Sequence, residues 1–127
     1  MLKNLLKIGE VNMFFRKGEF DCKCGCGLNN IDEQFLKDLT LARGLSKFSF
    51  IITSGCRCPK HNAEVRGKHN SSHLKGLAAD IYCISNDKRF DIINALFTVG
   101  FNRIGIAHNF IHVDCDKDKT QNLIWTY

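Results

Sequence analysis

Two short stretches of this chain combine side chains that bind metals. The first is Ser71-Ser72-His73-Leu74-Lys75-Gly76-Leu77-Ala78-Ala79-Asp80, a histidine and a carboxylate seven positions apart with small residues between them. The second is His112-Val113-Asp114, in an otherwise apolar run near the C-terminus. His73, Asp80 and His112 make a set of two imidazoles and one carboxylate, which leaves one tetrahedral position open. That is how catalytic zinc is held, whereas structural zinc has its positions filled by protein. A strand alternates its side chains, so Phe110, His112 and Asp114 share one face, and Ala78, Asp80 and Tyr82 share a face of the preceding strand. If these strands are neighbours, Asp80 meets His112 and the loop ending at His73 supplies the third ligand, with Gly76 letting the backbone turn back. Asp114 then suits a supporting role, accepting from the N–H of a ligand imidazole. The competing reading is a satisfied core histidine and a carboxylate at a strand end. It suits each residue singly and the set poorly.

The elements that must position these residues follow from apolar spacing. The 127 residues, 44% hydrophobic and 24% charged, fit one domain, residues 1–127. Residues 1–20 read as an arm laid over it by Phe14, Phe15 and Phe20. Asn30 or Asp32 caps a helix to about Gly44, with Ile31, Phe35, Leu36, Leu39, Ala42 and Leu45 inward. Residues 48–53 read as a buried strand, 58–72 as a long polar loop with at most one helical turn at Pro59, and 77–84 as a second strand. A helix follows from Asn86 or Asp87 to Val99, with Phe90, Ile93, Leu96 and Phe97 inward and Gly100 closing it. Residues 103–107 and 110–115 form two strands joined at His108-Asn109. The order implies an α+β fold, a small antiparallel sheet with flanking helices.

Cys22, Cys24 and Cys26 lie within five residues, and Cys58 follows Arg57. Four thiolates of this group could close a structural zinc site, with Cys22, Cys24, Cys26 and Cys58 the candidates. Free buried thiols, or disulfides formed in an oxidising environment, are the alternatives. Cys83 and Cys115 fall in strands and read as core. His61 and His69 could touch substrate but read first as solvated loop residues, and Trp125 and Tyr127 either pack the C-terminus back or line the cleft, packing being preferred.

The Ser71–Asp80 segment is similar to the S-x-H-x-x-G-x-A-x-D signature of zinc D-Ala-D-Ala carboxypeptidases and L-Ala-D-Glu endopeptidases, peptidoglycan peptidases that include phage endolysins. Phe110-Ile-His112-Val-Asp114 resembles the second zinc motif of that family, and Ile52-Thr-Ser-Gly55-Cys-Arg57-Cys-Pro59 its upstream arginine segment. The resemblance spans about residues 20–125. It implies one catalytic zinc on His73, Asp80 and His112, with Arg57 and Ser71 holding a peptidoglycan stem peptide. Arg57 suits this chemically, since a guanidinium pairs bidentately with a carboxylate and keeps its charge. It could equally steady the oxyanion of the reaction. The family places an acidic residue three positions before the second zinc histidine, where this chain has Asn109. His108 beside it is the nearest substitute as proton carrier; the other outcome is a wall-binding module with altered or lost catalysis.

A net charge of +5 fits an anionic cell wall, nucleic acid or membrane surface alike. The basic residues are scattered, so no nucleic-acid groove is expected, although the cysteines and charge make a zinc-dependent nucleic-acid binder the third reading. No run spans a membrane, and the first ten residues do not read as a secretory signal. The expected setting is synthesis in the cytoplasm with reduced cysteines. By the resemblance, the expected context is a monomeric bacteriophage lysis protein released by a holin.

Overall fold

The structure is a computed structural model that describes residues 14–127. Its order is α1 (Glu33–Leu45), β1 (Ile52–Ser54), α2 (Pro59–Glu64), a 3-10 turn (Ser72–Lys75), β2 (Ala78–Tyr82), α3 (Asn86–Val99), β3 (Arg103–Ile106), β4 (Phe110–Asp114) and β5 (Leu123–Thr126). Five strands form one sheet in the order β1-β2-β4-β3-β5. The fold is α+β, as its sequence implies.

One detail departs from that expectation: the sheet is mixed, because β3 and β5 run parallel. The cause is connectivity. Strand β4 is flanked by β2 and β3 on its two edges. After β4 the chain must therefore cross back through residues 115–122 and run beside the free edge of β3 in the same sense.

The two faces of the sheet differ completely. Ala79 and Ile81 of β2, Ile104 of β3, and Ile111 and Val113 of β4 are wholly buried in a core with Phe35, Leu39 and Ala42 of α1 and Ile92, Ala95 and Leu96 of α3. The opposite face carries Asp80, Arg103, His112 and Asp114, all buried polar residues. Period-two alternation thus separates a hydrophobic layer from a polar one. The core holds the strands in a fixed register, and the register sets the polar face.

Asp32 caps α1, its carboxylate accepting from the Phe35 N–H at 2.9 Å. The helix runs through Gly44 and ends at Ser46, whose hydroxyl donates to Asp91 at 2.5 Å. Leu45 falls on the solvent side and is 49% exposed. Ser85, one residue earlier than expected, occupies the cap position of α3. Its buried stripe is Ile92, Ala95 and Leu96, while Phe90 and Phe97 point outward. Strand β1 is shorter than the apolar run that suggested it, although Phe50 before it is buried. Phe15 and Phe20 are buried edge to face, their ring centroids 5.1 Å apart, as expected for the end of the arm. The rest of the arm, residues 1–13, lies outside the described residues.

Gly76 lets the backbone turn back, as expected, and does more. It ends the 3-10 turn at φ +71°, and a Cβ there would lie 2.0 Å from the Asn30 carbonyl oxygen. Its own carbonyl accepts from the Asp32 N–H at 2.9 Å. Gly76 therefore docks the segment carrying His73 against the start of α1. Gly76→Ala combines left-handed strain with this overlap and is expected to cost about 2–3 kcal/mol, read as a lower urea midpoint with an unchanged m-value.

Candidate metal centre

Strands β2 and β4 pair antiparallel with Asp80 directly opposite His112 and Ala78 opposite Asp114. His112 Nδ1 lies 2.9 Å from Asp80 Oδ1. The 3-10 turn brings in His73, whose Nε2 is 3.2 Å from the same oxygen. All three ligand atoms lie within 4.8 Å of one another, and all three residues are buried.

The outer nitrogen of each ring is fixed. His73 Nδ1–H donates to the Gly55 carbonyl at 2.7 Å, and His112 Nε2–H donates to Asp114 Oδ2 at 2.7 Å. In the neutral tautomers these bonds select, His73 Nε2 and His112 Nδ1 present lone pairs to a carboxylate oxygen. Three acceptors converging on one point need a cation between them, either protons or a metal. With metal–ligand bonds of about 2.0–2.1 Å, tetrahedral ligand atoms stand about 3.3–3.4 Å apart, close to the separations seen here. The donor set and its spacing fit zinc.

Where protons take the place of that cation, the three groups share them. Burial alone would raise the Asp80 pKa, but hydrogen bonds and charge from His112 and His73 outweigh it and hold the carboxyl well below its usual range. Burial alone would lower His112, and Asp114 and Asp80 outweigh it to raise the ring above its ordinary value.

Arg57 lies beside the centre. Its Nη2 is 3.4 Å from Asp80 Oδ2, its Nε donates to Ser54 Oγ at 3.0 Å and its Nη1 to Asn62 Oδ1 at 3.2 Å. Gly67 keeps room for this group, since a Cβ there would come within 2.9 Å of the guanidinium. Ser71 Oγ accepts from the His73 N–H at 3.2 Å, which fixes the turn, and Ser71 also lines the cleft over the centre.

That cleft has a volume of about 790 Å³, within the range of small-ligand sites. His73, Asp80 and His112 lie in it, Arg57, Arg66, Lys68 and Lys119 bring positive charge to it, and Phe110, Trp125 and Tyr127 line it with aromatic rings. Trp125 and Tyr127 thus line the cleft, the second of the two places that their sequence context offered. Trp125 rests on the backbone of Gly105, where a Cβ would meet the indole at 2.7 Å. His61 is half-buried, with Nδ1 3.9 Å from Glu64, and His69 is exposed.

His108 is not brought to the centre. It is exposed in the β3–β4 turn, its carbonyl accepting from Arg89 at 3.4 Å, and neither it nor Asn109 lines the cleft. Three residues, 109–111, lie between it and His112, a span on the order of 10 Å, beyond direct proton transfer. Neighbourhood in sequence misled here, because a tight turn projects away from the sheet face that carries the site.

Sequence reasoning missed Arg103 and Asp116. Arg103 Nε donates to Asp114 Oδ1 at 2.7 Å, and its Nη1 donates to the Thr120 carbonyl. Asp116 is buried, accepts from Ser72 Oγ at 2.8 Å and pairs with Lys75 at 3.0 Å, tying the His73 turn to the crossing loop. Arg103 had a signal: counting outward from the His108-Asn109 turn pairs it with Asp114. Asp116 had none.

The model of the family Peptidase M15 matches residues 13–114, a span holding every candidate metal ligand. The chain belongs to the M15 peptidase family. It is therefore a peptidase of a zinc-dependent family. No curated protein matches the chain. Among the described residues, no helix is long and apolar enough to cross a membrane.

Proposed function

We propose that this M15 peptidase binds zinc through His73, Asp80 and His112 and hydrolyses peptide bonds of the peptidoglycan stem, as a carboxypeptidase of the D-Ala-D-Ala type. One observation carries the reading: three mutually facing ligand atoms lie at a cleft with a guanidinium beside them. Zinc, when bound, polarises a carbonyl and lowers the pKa of water to about 7. The Gly55 carbonyl and Asp114 aim the two imidazoles. Asp80 supplies the anionic ligand and holds Arg57 at the cleft. A guanidinium has five N–H groups, and the three contacts of Arg57 within the protein leave two for the terminal carboxylate of a substrate. Arg66, Lys68 and Lys119 extend the positive wall for the further carboxylates of a stem peptide. Neither His108 nor Asn109 is given the proton. The setting of a phage endolysin belongs to this proposal, supported by the family and by the positive charge.

The test is incubation of zinc-loaded protein with a stem pentapeptide ending in D-Ala-D-Ala and with its C-terminal amide, products being weighed by mass spectrometry. Loss of one terminal alanine from the free acid, and much less from the amide, is expected. Arg57→Lys should lower kcat/KM for the acid by about 10- to 150-fold, the equivalent of a charged hydrogen bond of roughly 1.5–3 kcal/mol, and hardly change the amide. A cut between L-Ala and D-Glu would make the chain an endopeptidase. A second reading, a wall-binding module without turnover, draws on Asn109 at the family's acidic position. Bound but intact substrate would favour it.

A further inference from the structure

The centre at His73 leaves a second cluster unused. Cys22, Cys24, Cys26 and Cys58 have their four sulfurs within 4.8 Å of one another. Cys22 Sγ and Cys24 Sγ are 3.5 Å apart, and Cys24 Sγ and Cys58 Sγ are 3.7 Å apart. All four are free thiols. A disulfide needs sulfurs about 2.05 Å apart and joins only two of them. Four thiolates around a tetrahedral zinc, with bonds of about 2.3 Å, stand about 3.8 Å apart. The observed spacing is that of the second arrangement.

The backbone is shaped for it. Gly25 and Gly27 adopt φ +85° and +87°, a conformation that folds residues 22–27 tightly enough for three alternate cysteines to face one point. The Cys22 sulfur accepts from the Cys58 N–H at 3.4 Å, and the Cys58 sulfur accepts from the His61 N–H at 3.3 Å at the start of α2. Backbone N–H groups aimed at sulfur favour thiolate. The remaining cysteines stand apart: Cys56 Sγ is directed to Asn29, Cys83 is in the core and Cys115 packs against it.

We propose that Cys22, Cys24, Cys26 and Cys58 hold a second, structural zinc ion with no open position. Thiolate-only tetrahedral sites select zinc or iron over hard cations. Its role follows from position. The ion would fasten residues 22–26 to Cys58, the immediate neighbour of Arg57, in line with the bond from the Cys56 N–H to the Phe20 carbonyl at 2.9 Å. It thereby steadies the segment carrying Arg57 from outside the cleft, which none of the four cysteines lines.

The experiment is elemental analysis of the full chain, purified under reducing, oxygen-free conditions. Wild-type protein should carry two zinc ions, His73→Ala one, and Cys24→Ser/Cys26→Ser one. Cys24 and Cys26 are exposed, so serine there does not empty the core. Cobalt-substituted wild-type protein supplies a readout independent of any variant. It should show an intense thiolate-to-cobalt charge-transfer band in the near ultraviolet, which the His73 centre, lacking thiolates, cannot give. One zinc in the wild type, unchanged zinc in the double cysteine variant, iron in its place, or no charge-transfer band would each overturn the proposal. Because His73→Ala empties only the other centre, failure here is distinct from failure of the peptidase reading.

Discussion

Asp80→Asn is expected to abolish hydrolysis while leaving the chain folded. Asp80 is 6% exposed and is the one group that meets His73, His112 and Arg57 together. Asparagine has the same shape but no charge, so the substitution leaves the packing of β2 intact and removes the anionic ligand. Loss of a group that merely aims a ligand costs 10- to 100-fold in metal affinity, so loss of the ligand itself should cost more than about 100-fold. Removing a single oxyanion donor costs about 10²–10³ in rate, and a zinc ion does more than one donor, so turnover should fall by more than about 10³-fold. Arg57 also loses its ionic partner and its fixed position. Zinc affinity by competition with a chelator, and alanine release by mass spectrometry, check both parts. A zinc-loaded Asp80→Asn protein at full rate would sink the assignment.

Asp114→Ala should be the most destabilising single change at the site. Asp114 is 1% exposed and accepts from Arg103 at 2.7 Å, from His112 at 2.7 Å and from the Asp116 N–H at 3.1 Å. Its removal strands the Arg103 guanidinium, whose side chain is only 8% exposed. Breaking a buried pair in this way costs roughly 3–5 kcal/mol, a fall in Tm of roughly 10–20 °C for a chain of this size. His112 also loses the partner that sets its tautomer, so zinc affinity should drop by about 10- to 100-fold. Adding Arg103→Met to Asp114→Ala removes the stranded charge and should restore part of the stability but none of the zinc affinity. Calorimetry on the single and double variants measures the coupling. A cost below about 1 kcal/mol for Asp114→Ala would show that Arg103 finds water or another partner.

How much of this was legible in the sequence depended on whether local rules governed the residue. The His73, Asp80 and His112 set was readable because two motifs fell on alternating strands, and the pairing of Asp80 with His112 realises that alternation. The spacing of the four cysteines left a structural metal, free thiols and disulfides all open, and only the fold shows that their sulfurs lie together. Strand β5 was not readable, because Leu123–Thr126 is short and owes its place to the free edge of β3, which no local pattern reveals. The inward face of α3 was read in part: Leu96 is wholly buried and Ile93 packs on the core, whereas Phe90 and Phe97 are exposed. Phe90 and Phe97 are the largest side chains on that helix, yet its buried stripe is Ile92, Ala95 and Leu96. His108 failed on geometry: adjacency to Asn109 says nothing about which side of a turn faces the cleft.

The measurement that tests the central claim most directly is an anomalous difference map, collected at the zinc edge, from crystals of protein that turns over the stem pentapeptide. The account predicts a peak about 2.0–2.2 Å from His73 Nε2, His112 Nδ1 and an Asp80 carboxylate oxygen, with no fourth protein ligand. No peak among those three atoms, in crystals of active protein, would contradict it.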